Sequence, residues 1–121
     1  MKTCLIVDDS KMIRRIAGRI LRDLNFATEE AENGHEAMNY CRNKMPDAIL
    51  LDWSMPVMDG LSFLKALRDE PEGDRPVVVF CTSERDVLKI AMALDYGADE
   101  YIMKPFDSDI VESKFHQVGL M

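Results

Sequence analysis

A chain of 121 residues, 47% apolar and 31% charged, has the size and balance of one globular domain: too short for a second core, too apolar for disorder. Its formal charge of -7, from 22 acidic and 15 basic side chains, argues against a nucleic-acid partner, because readers of the phosphate backbone present a basic face. Cys4, Cys41 and Cys81 form no Cys-x-x-Cys pair and have no histidine at ligand spacing, so neither a disulfide framework nor a zinc site is indicated. No apolar stretch has the length of a signal peptide or membrane span, and the expectation is a cytoplasmic monomer without membrane insertion.

The chain opens with a short apolar run, Cys4 to Val7, that reads as a buried strand. Ile13, Ile16, Ala17, Ile20 and Leu24 then recur at helical spacing, opposite Arg14, Arg15, Arg19 and Arg22. That arginine run reads first as a solvated helix face and second as a docking surface for an acidic partner. Phe26 to Ala31 is a half-polar strand suited to a sheet edge, and Asn33-Gly34 turns the chain into a helix with Ala37, Met38, Cys41 and Met45 inward. Ala48 to Leu51 and Val77 to Cys81 are uninterrupted apolar runs, as expected of central parallel strands buried on both faces.

Asp59 is a good N-cap for a helix burying Phe63, Leu64 and Leu67. Ser83 with Asp86 forms a capping box for the next helix, which buries Val87, Ile90, Ala91 and Leu94 and stops at Gly97. Glu100 to Met103 gives a fifth strand, and a final helix from Asp107 carries Ile110, Val111, Phe115 and Val118 inward. Strict alternation of five strands and five helices implies right-handed crossovers and an open parallel sheet covered by helices on both faces. In such sheets ligands bind beyond the carboxyl ends of the strands.

The residues at those ends carry the chemistry. The first strand ends in Asp8 and Asp9, the third in Asp52, the fourth in Thr82 and the fifth in Lys104, followed by Pro105. If the first and third strands are neighbours, three carboxylates converge and repel one another unless a cation joins them. Oxygen-only ligands select a hard ion, and Mg²⁺ characteristically binds one or two carboxylates together with a phosphate oxygen. A carboxylate can attack phosphorus to give an acyl phosphate while an ammonium neutralises the transferring oxygens. Asp52 is the central candidate, with Lys104 as the ammonium and Thr82 as a hydroxyl donor. Taken singly, each residue has a bland reading: a solvated turn capped by Ser10, a helix cap, an exposed lysine. Five such residues, distributed over four strand ends, weigh against coincidence.

The segments LIVDDS, LLDWSMPVMDG, CTS and YIMKPF resemble the receiver domain of two-component response regulators, over the whole chain and with high specificity. The likeness is strongest to single-domain receivers of the chemotaxis (CheY) type, given Trp53 beside the acceptor and Tyr101 in the fifth strand. The resemblance implies a flavodoxin-like doubly wound sheet of order 2-1-3-4-5, with residues 1–121 forming one receiver and no output domain. It implies Asp52 as phospho-acceptor. Asp9, Asp52 and the backbone carbonyl of Ser54 would bind Mg²⁺, Asp8 would act through water, and Lys104 and Thr82 would contact the phosphoryl group. Pro105 matches a position where the family has a cis peptide bond.

By the same resemblance Thr82 and Tyr101 form the conformational switch, and Ser54 and Glu84 occupy positions that tune the lifetime of the acyl phosphate. The implied partners are a histidine kinase or histidine phosphotransfer protein upstream and a protein target downstream, among them a flagellar motor switch. A phosphate sink or relay and an adaptor for the cell cycle or proteolysis are alternative outputs. A phosphatase of the haloacid-dehalogenase type also uses a nucleophilic aspartate and Mg²⁺, but it needs an aspartate two residues on, where this chain has Ser54. A flavodoxin-like cofactor module would need a phosphate-cradling loop where Asp8 and Asp9 stand. No enzymatic turnover of an external substrate is expected, only phosphoryl transfer to and from the domain itself.

Overall fold

The computed structural model describes residues 1–53, 55, 57–82 and 87–121. Strands and helices alternate in the order β1 (Thr3–Val7), α1 (Lys11–Asp23), β2 (Ala27–Ala31), α2 (Gly34–Asn43), β3 (Ala48–Asp52), α3 (Gly60–Asp69), β4 (Val77–Thr82), α4 (Val87–Asp95), β5 (Glu100–Met103) and α5 (Ser108–Gln117). All strand pairs are parallel, and the sheet order is β2-β1-β3-β4-β5. The winding reverses beside β1, so β1 and β3 are neighbours and their carboxyl ends mark the switch point at which such sheets bind ligands.

Side chains alternate across the central strands and feed two cores. Leu5, Val7, Ile49, Leu51, Val78 and Phe80 face Ala37, Met38, Phe63, Leu64 and Ala93 of α2, α3 and α4. Cys4, Ile6, Leu50, Val79 and Ile102 face Ala17, Leu21, Val111 and Phe115 of α1 and α5. Burial on both faces explains why β1, β3 and β4 read as continuous apolar runs. Helix starts are fixed by short polar side chains that satisfy otherwise unpaired N–H groups. Ser10 Oγ accepts from the N–H of Ile13, Asn33 Oδ1 from Glu36, Asp59 Oδ1 from Ser62 and Asp107 Oδ1 from Ile110. The backbone of Gly97 lies at φ +112°, ending α4 as a glycine stop.

Several inward assignments are corrected. Phe26 lies outside β2 but is buried, packed edge-on against Phe115 at 5.3 Å. Met45 lies beyond α2 and is only partly buried. In α1 the buried stripe runs through Ala17, Gly18 and Leu21; Ile13, Ile20 and Leu24 sit at its margin, and Ile16 is 46% exposed. In α5 Ile110 is exposed, Val118 is partly buried, and Val111 and Phe115 form the inner face.

Helix α4 departs most from expectation. Ala93 is its buried residue, Ile90 is half-buried, and Val87, Ala91 and Leu94 face solvent together with Leu88 and Met92. A helix apolar on nearly every side gives no unique inward stripe, so periodicity could not fix its rotation. The capping box read at Ser83 and Asp86 lies outside the described residues.

Candidate functional site

The carboxyl ends of β1 and β3 bring the acidic residues together. One oxygen from each of Asp8, Asp9 and Asp52 lies within 4.8 Å of the others. Asp8 and Asp52 are buried, at 3% and 7% exposure, whereas Asp9 is open to solvent. Asp8 is held on every side. Its N–H donates to the carbonyl of Ala31 at 3.1 Å, its Oδ1 accepts from the N–H of Ser10 at 2.9 Å, and its carbonyl accepts from Arg14 Nη1 at 2.6 Å.

Lys104 arrives from the end of β5 and spans the pair. Its Nζ donates to Asp8 Oδ2 at 2.8 Å and to Asp52 Oδ1 at 3.0 Å. The Lys104 N–H donates to the carbonyl of Thr82 at 2.9 Å, tying the lysine's backbone to the end of β4. Thr82 is buried, and the Lys104-Pro105 bond is cis. Asp8, Asp9, Asp52, Thr82 and Lys104 therefore all stand at one sheet edge, as the strand-end reading expected. Ser54 and Glu84 lie outside the described residues.

Burial pushes the Asp52 carboxyl above its ordinary range; the hydrogen bond and charge of Lys104 pull it back, and the charges of Asp8 and Asp9 push it up again. Burial alone would lower Lys104, but its bonds to Asp8 and Asp52 outweigh this and raise it. The lysine's ammonium is thus firmly retained. The sign of Asp52's effect on stability follows by linkage: a carboxyl raised in the folded state contributes stability below the ordinary carboxylate range, lost as pH rises through its native value. Asp52→Asn should therefore melt above the wild type at pH 7, and thermal scans should show that advantage shrinking as pH falls toward about 4.

A hard divalent ion suits this donor set, because two buried carboxylates and one exposed one offer only oxygen. Asp8, Asp9 and Asp52 are the residues that would hold it. The thiols take no part: burial pushes Cys4 and Cys41 up to about 12 and raises Cys81 as well, which marks them as inert core residues.

Three contributors escaped the sequence reading. Arg14 does not belong to a solvated face; it fastens Asp8's carbonyl and pairs with Glu30 at 2.9 Å. Phe80 stands between Trp53 and Tyr101, with ring centroids 5.8 and 6.2 Å away. Its position two before Thr82, on the same side of β4, was the available signal. Tyr101, which the sequence reading did single out, is half-buried beside Phe80, with Lys114 Nζ 5.0 Å from its ring centroid. Arg68, at the opposite edge of the sheet, carried no sequence signal beyond its charge.

A parallel sheet wound in this order, with three carboxylates, a threonine and a lysine on its strand ends, defines the receiver class of signalling domains. The chain belongs to the response regulator receiver domain family, whose model matches residues 4–116. It is 36% identical over 115 residues to chemotaxis protein CheY-3 of Vibrio cholerae serotype O1, covering 94% of this chain and 88% of that protein. It is 34% identical over 115 residues to chemotaxis protein CheY of Pseudomonas aeruginosa, covering 94% and 93%. Among solved structures, chemotaxis protein CheY4 of Vibrio cholerae superimposes with a TM-score of 0.92 at 30% identity, covering 98% of each chain. Among the described residues no helix is long and apolar enough to cross a membrane.

Proposed function

We propose that the chain is a response regulator receiver that accepts a phosphoryl group on Asp52 from a histidine kinase or histidine phosphotransfer protein, and so switches a protein partner in chemotaxis. The observation that carries this reading is Lys104 Nζ lying 2.8 and 3.0 Å from Asp8 and Asp52 at an edge that also gathers Asp9 and Thr82. An Asp52 oxygen attacks phosphorus, the bond from phosphorus to the donor's imidazole nitrogen breaks, and the electron pair leaves with the imidazole. The Lys104 ammonium offsets charge on the transferring oxygens, and Thr82 donates its hydroxyl to one of them. Asp9 and Asp52 would hold Mg²⁺, with Asp8 acting through water, and the ion would supply further charge neutralisation; the Ser54 carbonyl read as a third ligand lies outside the described residues.

One hydrogen bond to a charged group is worth about 1.5–3 kcal/mol, whereas shifting a two-state equilibrium from 1:99 to 99:1 takes about 5.5 kcal/mol. Thr82 therefore does not switch the domain alone; Lys104 and repacking of Tyr101 against Phe80 share the work. The downstream partner reads the face of α4 and β5, where Val87, Leu88 and Met92 are exposed, and a flagellar motor switch protein fits the chemotaxis relatives. Incubation with Mg²⁺ and acetyl phosphate should give a single phosphoryl adduct by intact mass, with none on Asp52→Asn. An adduct of equal yield on Asp52→Asn would overturn the reading.

A further inference from the structure

Helices α3 and α4 leave the two strands that end in Asp52 and Thr82, and at the far edge of the sheet they are fastened to each other. Arg68, in the last turn of α3, makes the fastening. Its Nε donates to the carbonyl of Gly97 at 3.1 Å, Nη2 to the same carbonyl at 2.6 Å and to Asp99 Oδ2 at 3.2 Å, and Nη1 to the carbonyls of Gly73 and Pro76, each at 2.8 Å. All five N–H donors of a guanidinium are thereby used, on a side chain only 15% exposed.

Asp99 and Gly97 are themselves held in place. Asp99 Oδ2 also accepts from the N–H of Val78 at 2.8 Å, and its own N–H donates to Val78's carbonyl at 2.8 Å, locking the clamp to the start of β4. Gly97 is required twice over: its φ is +112°, and a Cβ there would stand 2.9 Å from Arg68 Nε. One turn earlier on α3, Lys65 Nζ lies 4.1 Å from the ring centroid of Tyr96. Residues 65 and 68 thus grip residues 96–99, the connection between α4 and β5. Against that grip, α4 itself is shallowly seated, with Ala93 buried and Val87 and Leu88 about three-quarters exposed.

We infer that Arg68 is a positioning residue that fixes the base of α4 as a pivot, so that a change at the Asp52 and Thr82 edge becomes a rearrangement of α4's exposed apolar face. This rests on the phospho-acceptor reading above and adds to it the device that carries the signal. A helix tied at one end moves as a lever. Released at that end, it absorbs the displacement without presenting a defined face, because ligand-driven shifts need discrete alternative arrangements of a packed element.

The test is hydrogen exchange by mass spectrometry on the whole protein, with and without Mg²⁺ and acetyl phosphate, comparing wild type, Arg68→Met and Arg68→Lys. Methionine keeps much of the aliphatic stem and loses all five donors; lysine keeps the charge and loses the fork. Arg68→Met should form the Asp52 adduct at a rate within about twofold of wild type. In the unphosphorylated protein, exchange at residues 96–99 and in α4 should accelerate at least ~10-fold more than in β1 and β3, the signature of local rather than global opening. The phosphorylation-dependent change in exchange across residues 87–95 should be lost in Arg68→Met and partly retained in Arg68→Lys. Uniform acceleration across the sheet, or a full phosphorylation response in Arg68→Met, would overturn the inference. If wild type forms no adduct, the phospho-acceptor reading fails while the unphosphorylated comparison still judges the clamp.

Discussion

Replacing Lys104 by methionine is expected to lower the stability of the metal-free protein by about 3 kcal/mol, and to make most of that loss recoverable with Mg²⁺. Lys104 contacts two carboxylates that are nearly inaccessible, their side chains 4% and 8% exposed, while its own is 19% exposed. Removing one partner of a buried pair typically costs about 3–5 kcal/mol, because charge is left without compensation; the lysine's partial exposure places this case at the low end. Methionine fills the volume and cannot pair. A divalent ion restores the missing charge, and at about 100 times its dissociation constant a ligand stabilises the folded state by about 2.7 kcal/mol.

The wild type should gain less from the same Mg²⁺, since its lysine already holds oxygens of Asp8 and Asp52 that the ion would share. Urea midpoints with and without Mg²⁺ measure both effects. Acceptance of phosphate should not recover: losing a preorganised donor to developing charge costs about 100-fold or more, so acetyl phosphate should label Lys104→Met far more slowly at saturating Mg²⁺. A variant as stable as wild type without metal would show that the three carboxylates do not need the lysine.

Much of this was legible in the sequence. Val7, Leu51 and Cys81 sit in apolar runs that end in polar residues, so each strand declares where its carboxyl end lies, and the sheet order then decides which ends meet. That order is not local information; neighbouring β1 and β3 came from resemblance and is seen in the pairing of Val7 with Leu51. What stayed hidden was of two kinds. The rotation of α4 was unreadable because Val87, Leu88, Ile90, Ala91, Met92 and Leu94 leave no polar face to orient by. Arg14 and Arg68 were unreadable because, beside the carboxylates of Glu30 and Asp99, they bind backbone carbonyls of Asp8, Gly73, Pro76 and Gly97, and every residue has a carbonyl. Ile16 misled for a related reason: helical spacing admits more apolar positions than a shallow interface buries.

Gly60→Ala is expected to destabilise the protein by about 3 kcal/mol and to slow phosphorylation at Asp52 together, whereas Gly18→Ala should stabilise it. Both glycines lie in helices, and what each new methyl group meets separates them. At Gly60 a Cβ would stand 2.3 Å from the carbonyl oxygen of Asp52 and 3.1 Å from Trp53 Cα. These are backbone atoms, with the Gly60 N–H bonded to the Trp53 carbonyl at 2.9 Å, so relief requires moving the end of β3 itself. Overpacking a well-fitted site costs about 1–3 kcal/mol and sometimes more, and a contact with immovable backbone belongs at the upper end. Because the displaced residue is the proposed acceptor, Asp52 shifts relative to Lys104, and misplacement by about 1 Å can cost 100-fold in rate. At Gly18 the new methyl meets Arg22 Nη1 at 2.8 Å, the far end of a long side chain whose bond to Thr28 Oγ1 is exposed. Arg22 can swing away, leaving the gain of about 0.5–1 kcal/mol that alanine holds over glycine inside a helix. Chemical denaturation of the two variants, with acetyl phosphate labelling of each, tests both signs; a stable Gly60→Ala that labels at the wild-type rate would mean that α3 does not hold the acceptor in place.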